Sequence, residues 1–289
     1  KQRFDRLLIQ YEYKFYSILY FPIFLLMLRL IGKNVNLTMH TIPSYKEVVK
    51  QSLYKIMNTS VLIFTNNVIV HTSHGRNVLS KNTFIIKPIS VVPIPIIKSP
   101  QESKFEIENK LIVNILCFGF INYDKGLDIA CEALGGLKNI NLNIIGSIHS
   151  TAMKKQYVFL EKIKTYAETY KNIKLSIGFI PETKKSEIFL KHDFILLPYR
   201  FIMQSAVLTE AWGYCRIPIC SDIATFKEEI KNDKYGILFK DGDYRDLREK
   251  VIRIINDTKK QAQIIKNIKE LSNDRSFIKI SNEYLGVLV

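Results

Sequence analysis

Short apolar runs alternate with stretches of helical periodicity along the whole chain. In the first third, the pattern predicts strands at Arg6–Tyr11, Asn34–Met39 and Asn67–His71, with helices over about Leu19–Leu30 and Tyr45–Met57. Such alternation is typical of a parallel sheet. Because only three or four strands precede residue 97, we expect a Rossmann-like domain that is truncated at its N-terminal side.

A second, longer alternation follows a proline-rich segment. Val91–Pro100 and the polar run to Lys110 predict an extended interdomain linker. The strands expected after it are Leu111–Phe118, Asn141–Ile145, Ile173–Gly178, Phe194–Leu197, Ile217–Ser221 and Gly236–Phe239. The expected helices are Gly126–Leu134, Thr151–Tyr170, Lys184–Leu190, Ala206–Tyr214, Thr225–Lys231 and Asp243–Asn256, with further helices to about Glu283.

The predicted fold class is therefore α/β, with two Rossmann-like domains. The first domain is expected at 1–97, the linker at 98–110 and the second domain at 111–289. The last helix of the second domain is a candidate to return to the first domain and pack against it.

Composition and charge narrow the class of protein. The chain is 47% hydrophobic and 24% charged, which is typical of a folded protein and not of a disordered one. The net charge of the chain is +15. Residues 1–97 contain 12 Lys and Arg but only three Asp and Glu, so this first third carries +9 of that charge. A basic surface suits nucleic acid, anionic lipid or a phosphorylated substrate, and equally a solvated face without a ligand. No aromatic-interleaved basic run or known module favours nucleic acid, so we expect no such partner.

Two features bear on where the protein acts. Four cysteines lie in apolar runs without a CxxC pair, which predicts buried free thiols and a reducing cytoplasm: Cys117, Cys131, Cys215 and Cys220. The apolar stretch Phe15–Ile31 has a longest charge-free run of 14 residues, Phe15–Leu28. A spanning helix needs about 20 apolar residues, so we expect a buried or interfacial helix. Peripheral contact with the anionic inner face of a membrane stays open.

The first candidate ligand loop follows the first strand of the second domain. Open α/β sheets bind ligands at the carboxyl ends of their strands. In Cys117–Gly126, CFGFINYDKG, Gly119 permits close approach of a ligand to the backbone, and Lys125 offers a charge suited to phosphate. The helix that starts after Gly126 adds an anion-binding N-terminus. On its own, this pattern is also typical of a solvated turn.

The second candidate loop lies in Leu196–Trp212, LLPYRFIMQSAVLTEAW. Ser205 is expected to cap a helix, which leaves the amides of Ala206 and Val207 directed at an anion. Glu210 shares that helical face and would repel phosphate, so we expect it to accept hydrogen bonds from ribose hydroxyls. The alternative is an ordinary exposed glutamate.

Two further segments complete the candidates. Gly178–Pro181 follows an apolar strand, and Phe179, Ile180 and Pro181 would offer an apolar wall to a nucleotide base. Asp241-Gly242-Asp243 spells the D-x-D pattern of metal–nucleotide sites, but Asp243 is placed to cap the next helix. We therefore expect no metal.

The order and spacing of these segments resemble the family 4 retaining glycosyltransferases of the GT-B fold, such as mannosyl- and glucosyltransferases. The resemblance is carried by the G-x5-K-G loop, the Ile145–Ser147 turn, GFIP, HDFILLPYR, SAVLTEAWGYCRIPICSDI and YGILFKDGDYRDL. It covers nearly the whole chain and is dense from residue 111 to about 248. It implies two domains facing a cleft, a nucleotide-diphosphate-sugar donor and no metal cofactor.

The resemblance assigns roles in the second domain. Gly119 and Lys125 match the residues that hold the donor diphosphate, and Glu210 matches the second glutamate of the family's pair, which binds the nucleotide ribose. Ile202 stands where the first glutamate is expected. Gln204 and Ser205 are the nearest polar substitutes for its contact with the donor sugar.

One expected positive charge is also missing from the matched loop. Phe120 stands where the family often has an arginine after the loop glycine. Arg200 is expected to supply this charge to the diphosphate.

The first domain extends the resemblance through QYEYKF, LTMHTIPS and VHTSHGRNVL, at Gln10–Phe15, Leu37–Ser44 and Val70–Leu79. His40 matches a family histidine near the donor sugar and is expected to be catalytic together with Lys125. The expected acceptor-side residues are Glu12, Ser73 and Arg76.

The function that the resemblance implies is retaining transfer of a hexose from a nucleotide-diphosphate sugar to a glycan or lipid-linked acceptor. Two alternatives stay open. A GT-B nucleotide-sugar epimerase would share the diphosphate site and need no acceptor. A non-catalytic nucleotide-sugar-binding protein would keep the site without turnover.

Overall fold

Two α/β units, each with its own parallel sheet, make up the chain. The computed structural model describes residues 4–13, 16–17, 19–42, 48–99, 110–148 and 154–288. The first unit comprises Lys1–Ile94 together with Phe277–Val289, and the second comprises Pro95–Ser276. Most of the predicted linker, residues 100–109, lies outside the described residues, as do Phe15 and the predicted starts of two helices at Tyr45 and Thr151.

The first unit is built on a four-stranded parallel sheet in the order β1-β2-β3-β4. Its strands are β1 (Arg6–Tyr11), β2 (Asn34–Met39), β3 (Asn67–Val70) and β4 (Ile89–Val91). Its first three helices are α1 (Tyr20–Leu30), α2 (Val48–Leu62) and α3 (Ser73–Lys81). Strand β4 was not predicted, because three residues between Pro88 and Pro93 are too short for a visible alternation.

Helix α1 shows how the apolar pattern is used in the first unit. Phe21, Leu25 and Leu28 recur at helical spacing and are buried. Strand β2 is buried over most of its length, and α1 packs against it. Within the described ranges, no helix is long and apolar enough to cross a membrane.

The second unit has six parallel strands in the order β10-β9-β8-β5-β6-β7. They are β5 (Val113–Phe120), β6 (Ile140–Ser147), β7 (Ile173–Ile177), β8 (Phe194–Leu197), β9 (Ile217–Ser221) and β10 (Ile237–Phe239). Helices of this unit are α4 (Leu127–Leu134), α5 (Lys154–Thr169), α6 (Glu182–Leu190), α7 (Ala206–Gly213), α8 (Ala224–Ile230), α9 (Tyr244–Asn256) and α10 (Thr258–Asp274).

The second unit has one continuous hydrophobic core. All four residues of β8 are buried, and Trp212 of α7 is fully buried while its indole N–H donates to the Tyr235 carbonyl at 2.8 Å. All four cysteines are free thiols; three are buried as predicted, while Cys215 is half-buried. Burial raises the pKa of the Cys117 and Cys220 thiols. Both therefore stay protonated and unreactive.

The last helix, α11 (Phe277–Leu288), belongs to the first unit. Its Ile280 forms a buried cluster with Ile69 of β3 and Val92, which follows β4. The first unit is therefore completed by a segment from the other end of the chain.

Candidate active site

The carboxyl ends of β5 and β8 form the topological switch point of the second unit. From β5 the chain proceeds to β6 on one side of the sheet, whereas β8 pairs with β5 on the other side. Sheets of this type bind ligands at the carboxyl ends of the strands where the strand order reverses in this way. Both of the stronger candidate loops from the sequence lie here.

The loop after β5 takes a shape that only particular residues allow. Gly119 has φ +114°, a backbone conformation that residues with a Cβ rarely adopt. A Cβ on Gly119 would lie 3.9 Å from Cγ2 of Val207, so this loop reaches the start of α7. Asn122 then caps a single 3-10 turn, Tyr123–Lys125, with its side-chain oxygen accepting from the Lys125 amide at 3.2 Å.

Lys125 is half-buried and lies beside an aromatic ring. Its Nζ lies 3.7 Å from the centroid of the Tyr199 ring, within the range of a cation–π contact. Burial lowers the pKa of Lys125 to about 8, and the nearby Asp124 carboxylate opposes that shift. A partly desolvated ammonium gains most from a phosphate, because the interaction of the two charges is stronger where water is excluded.

The start of α7 has the predicted cap. The Ser205 hydroxyl accepts from the Leu208 amide at 3.2 Å. The amides of Ala206 and Val207 have no acceptor within the helix, since the first four amides of any helix lack one. Burial raises the pKa of Tyr199, while the neighbouring Ser205 hydroxyl acts to lower it. The Tyr199 ring thus contacts Lys125, and its hydroxyl lies near Ser205.

Arg200 is already paired in the structure. Its guanidinium donates to both carboxylate oxygens of Asp128, at 2.9 and 3.0 Å, and to the Tyr123 carbonyl at 2.9 Å. Its own amide donates to the Asp124 carbonyl at 2.8 Å. Arg200 thus fastens the loop after β8 to the loop after β5, a contact that the sequence did not reveal. Its expected contact with a diphosphate stays a prediction.

Glu210 is held by a lysine that the sequence analysis missed. Lys185 of α6 lies 2.6 Å from Glu210 Oε1 and 2.9 Å from Glu182. These two carboxylates raise the pKa of Lys185 against the opposing effect of burial. The expected contact of Glu210 with a ribose hydroxyl stays a prediction. No sequence signal linked Lys185 to Glu210, because the two lie on different helices.

The other residues predicted to bind the sugar donor differ in how exposed they are. Phe179 is 86% exposed, and Ile180 and Pro181 are half-buried in the turn that leads into α6. Gln204 is half-buried next to the cap residue Ser205. Their contacts with a base or a sugar stay predictions.

Ile202 has a structural role that suits an apolar residue. Its side chain packs against the core, and its carbonyl accepts from the Thr225 hydroxyl at 2.6 Å. This position therefore faces inward in the structure.

In the first unit, the predicted residues meet at the carboxyl edge of its sheet. Glu12 follows β1 and accepts from the Thr41 hydroxyl at 2.7 Å. His40 follows β2, and its Nε2 lies 2.7 Å from Oε1 of Gln10, a neighbour not predicted as a site residue. Ser73 begins α3 just after β3, and Arg76 is exposed one turn further along.

His71 supports His40 from the interior. The two ring centroids are 5.1 Å apart, and His71 Nδ1 lies 2.9 Å from the Val92 carbonyl. Burial, and to a lesser extent His40, lower the pKa of His71 to about 4, against the opposing effect of the Val92 contact. His71 is therefore neutral at physiological pH. No role for His71 was predicted from the sequence.

The prediction that Asp243 of the D-x-D segment caps a helix is confirmed. One carboxylate oxygen of Asp243, Oδ1, accepts from the amides of Arg245 at 3.0 Å and Asp246 at 3.1 Å. Asp243 is therefore the N-cap of α9, and capping accounts for this aspartate.

The two parallel-sheet units define an α/β protein of the GT-B glycosyltransferase fold. Residues 100–271 match the family of glycosyl transferases group 1. The match spans more than half of the chain, and the chain belongs to this family. No protein of curated function matches the sequence.

Solved structures agree with this fold. A trehalose-6-phosphate synthase matches with a TM-score of 0.79 at 13% identity, over 100% of this chain and 74% of that one. Anabaena Alr3699/HepE in complex with UDP and glucose gives 0.77 at 14% identity, over 97% and 77%. A mutant of S. aureus TarM in complex with UDP gives 0.68 at 16% identity, over 89% of this chain but only 51% of that one. The chain thus spans about half the length of TarM, and identities this low show the fold alone.

Proposed function

We propose that the chain is a retaining glycosyltransferase, similar to family 4, that moves a hexose from a nucleotide-diphosphate sugar to a glycan or lipid-linked acceptor. The observation that carries the proposal is the half-buried ammonium of Lys125 on the Tyr199 ring, in a loop whose Gly119 comes close to Val207 at the capped start of α7. Two of the similar structures contain UDP. A third was used to study glycosyl transfer with retention.

The chemistry proposed for this site centres on the leaving diphosphate. As the bond from the anomeric carbon to the phosphate oxygen breaks, that oxygen gains negative charge. In the proposed mechanism, Lys125 and the amides of Ala206 and Val207 stabilise this charge, with a contribution from Arg200. Pre-organised donors of this kind need no reorientation when the charge develops.

Retention is proposed to occur by attack on the face that the diphosphate leaves. The acceptor hydroxyl forms the new bond to the anomeric carbon, and its proton passes to the departing phosphate oxygen. A double displacement would instead need a free carboxylate as nucleophile. In the second unit, Glu210 is paired with Lys185, and Asp128 is paired with Arg200 and Lys162. We further propose that His40 contacts the donor sugar and that Glu12, Ser73 and Arg76 face the acceptor, with no metal required.

A thermal-shift screen against UDP-, GDP- and ADP-sugars tests the proposal. One donor class is expected to raise the melting temperature in proportion to the logarithm of its concentration, because only the folded chain binds it. Glu210→Gln is expected to weaken that donor about tenfold or more, since a hydrogen bond to a charged group is lost. Glu187→Gln, at an exposed position of α6, is the matched control and should bind as the wild-type chain does.

The screen and a product assay have outcomes that count against the proposal. If none of the three donor classes shifts the melting temperature, the donor site is wrong. A free or isomerised sugar formed without any acceptor would indicate the epimerase alternative. Donor binding without turnover on a panel of glycan and lipid-linked acceptors would indicate a binding protein.

Donor affinity should also depend on pH through Lys125. The pKa of its ammonium is about 8, so the group is charged below that pH and loses its proton above it. The donor dissociation constant is therefore expected to be constant below pH 7 and to rise about tenfold per pH unit above 8. Titration calorimetry across this range measures it.

Lys125→Arg is the control for the pH profile, because a guanidinium stays charged throughout the range. The variant should bind the donor with little change above pH 8. A wild-type profile as flat as that of the variant would show that Lys125 does not contact the diphosphate.

A further inference from the structure

Helix α1 is apolar on both of its sides. Phe21, Leu25 and Leu28 face the interior of the first unit. At 3.6 residues per turn, the opposite side forms a continuous exposed arc of about 160° around the helix. The exposed apolar side chains of α1 and its two flanking residues are Leu19, Tyr20, Ile23, Phe24, Leu26, Met27, Leu30 and Ile31. We call this set the outer face of α1.

An exposed apolar surface of this size is typical of an interaction site. Helix α2 packs against α1, and Leu53 and Ile56 on it and Ile63 just after it are each more than half exposed. Monomeric proteins rarely leave a contiguous apolar patch of this extent in water, and larger ones mark interaction sites. A helix that is apolar all round suits a protein interior or lipid.

The charge around the outer face is positive. From residue 13 to residue 46 the sequence has no Asp or Glu and four Lys and Arg. Arg29 lies at the C-terminal end of α1, close enough to Lys87 to add to the lowering of its pKa by burial. Lys33 lies 4.9 Å from the centroid of the Phe4 ring and 3.7 Å from Asp5, the acidic group on this side. Cations therefore border the apolar arc where Leu30 and Ile31 end it.

The apolar outer face and the positive charge beside it together favour one kind of partner over another. A second copy of the chain would bring two strongly basic surfaces together, because residues 1–97 carry a net charge of +9. An anionic lipid surface complements both the apolar arc and the flanking cations. Long basic side chains can keep their charges at the phosphate level while their stems cover apolar surface.

We propose that the outer face of α1 lies in the interface of an anionic lipid bilayer, with Arg29 and Lys33 at its phosphates. The helix lies on the membrane and does not cross it. The proposal rests on the proposed function and deepens it, by favouring a lipid-linked acceptor over a glycan free in solution.

Vesicle co-sedimentation of the whole chain tests it. The wild-type chain is expected to bind phosphatidylcholine vesicles that contain phosphatidylglycerol, to bind pure phosphatidylcholine vesicles much less, and to be released by salt. The double variant Met27→Glu/Leu30→Glu, at positions 61% and 76% exposed, should lose binding about tenfold or more. Ile278→Glu/Leu285→Glu on α11, at 73% and 59% exposed, adds the same charge to the same unit and should lose much less.

Several results would overturn the proposal. These are failure of the wild-type chain to bind anionic vesicles, equal losses in the two double variants, or a dimer that Met27→Glu/Leu30→Glu dissociates without changing vesicle binding. Melting curves are expected to show that both variants fold. The donor-induced thermal shift should be the same in both, so that loss of membrane binding and failure of the donor site remain distinguishable.

Discussion

Replacing Lys125 with methionine is expected to lower kcat/KM for sugar transfer about 100- to 1000-fold, the cost of removing one pre-organised donor from a developing anion. Methionine keeps the length and the apolar contact with Tyr199 but removes the charge. The partly desolvated position of the ammonium makes the effect large, because its interaction with the leaving diphosphate is not screened as it would be in water.

The same substitution is expected to leave the melting temperature equal to or above that of the wild-type chain. The folded-state pKa of Lys125, about 8, lies below its usual value of 10.5. Folding therefore disfavours the charged lysine at neutral pH, and this penalty disappears as the pH rises from 8 towards 10.5. Loss of activity together with unchanged or increased stability is the signature of a residue kept for function.

Steady-state kinetics with the donor found by the thermal-shift screen measures the first effect, and melting curves measure the second. Lys138→Met, which changes an exposed lysine of the same unit, should keep wild-type kcat/KM. If Lys125→Met loses activity only in proportion to a loss of folded protein, the lysine is structural and the proposed mechanism is wrong.

The alternation of strands and helices was sufficient to predict the α/β class and most of the elements. Strands such as β8 and β9 are buried on both faces, so each appears in the sequence as an uninterrupted apolar run. Strand β4 is the counter-example, because three residues between prolines give no periodic signal. Assignment of the last helix to the first unit is likewise a long-range packing result, carried by Ile280 against Ile69 and Val92.

The site could be predicted where its chemistry is local in sequence. Ser205 caps α7 and Asp243 caps α9, and each accepts from backbone amides within three residues. Interactions between distant segments could not be predicted. The pairs Arg200–Asp128 and Lys185–Glu210 each join residues far apart in sequence, and each changes how a predicted site residue is held.

A large loss of stability is expected on substitution of Gly126, where an alanine cannot fit. Gly126 has φ +59°, and a Cβ there would lie 1.8 Å from the Pro198 carbonyl oxygen. This close approach brings the loop after β5 against the loop after β8, and it sets Lys125 beside Tyr199. Gly126→Ala must therefore separate the two loops, and we expect it to lower both folding stability and donor affinity.

Gly242→Ala is the control that separates the cost of a left-handed backbone from the cost of the steric overlap with Pro198. Gly242 has φ +74° and nothing within 4 Å of an added Cβ, so its substitution carries only the cost of a left-handed backbone, about 1 kcal/mol. Gly126→Ala adds a steric overlap that should bring the total to about 3 kcal/mol or more, because two backbone segments have to move apart. Urea denaturation and the donor-induced thermal shift measure the two variants side by side. Equal losses of stability, or a full donor shift in Gly126→Ala, would show that the two loops do not need this contact to hold Lys125 in place.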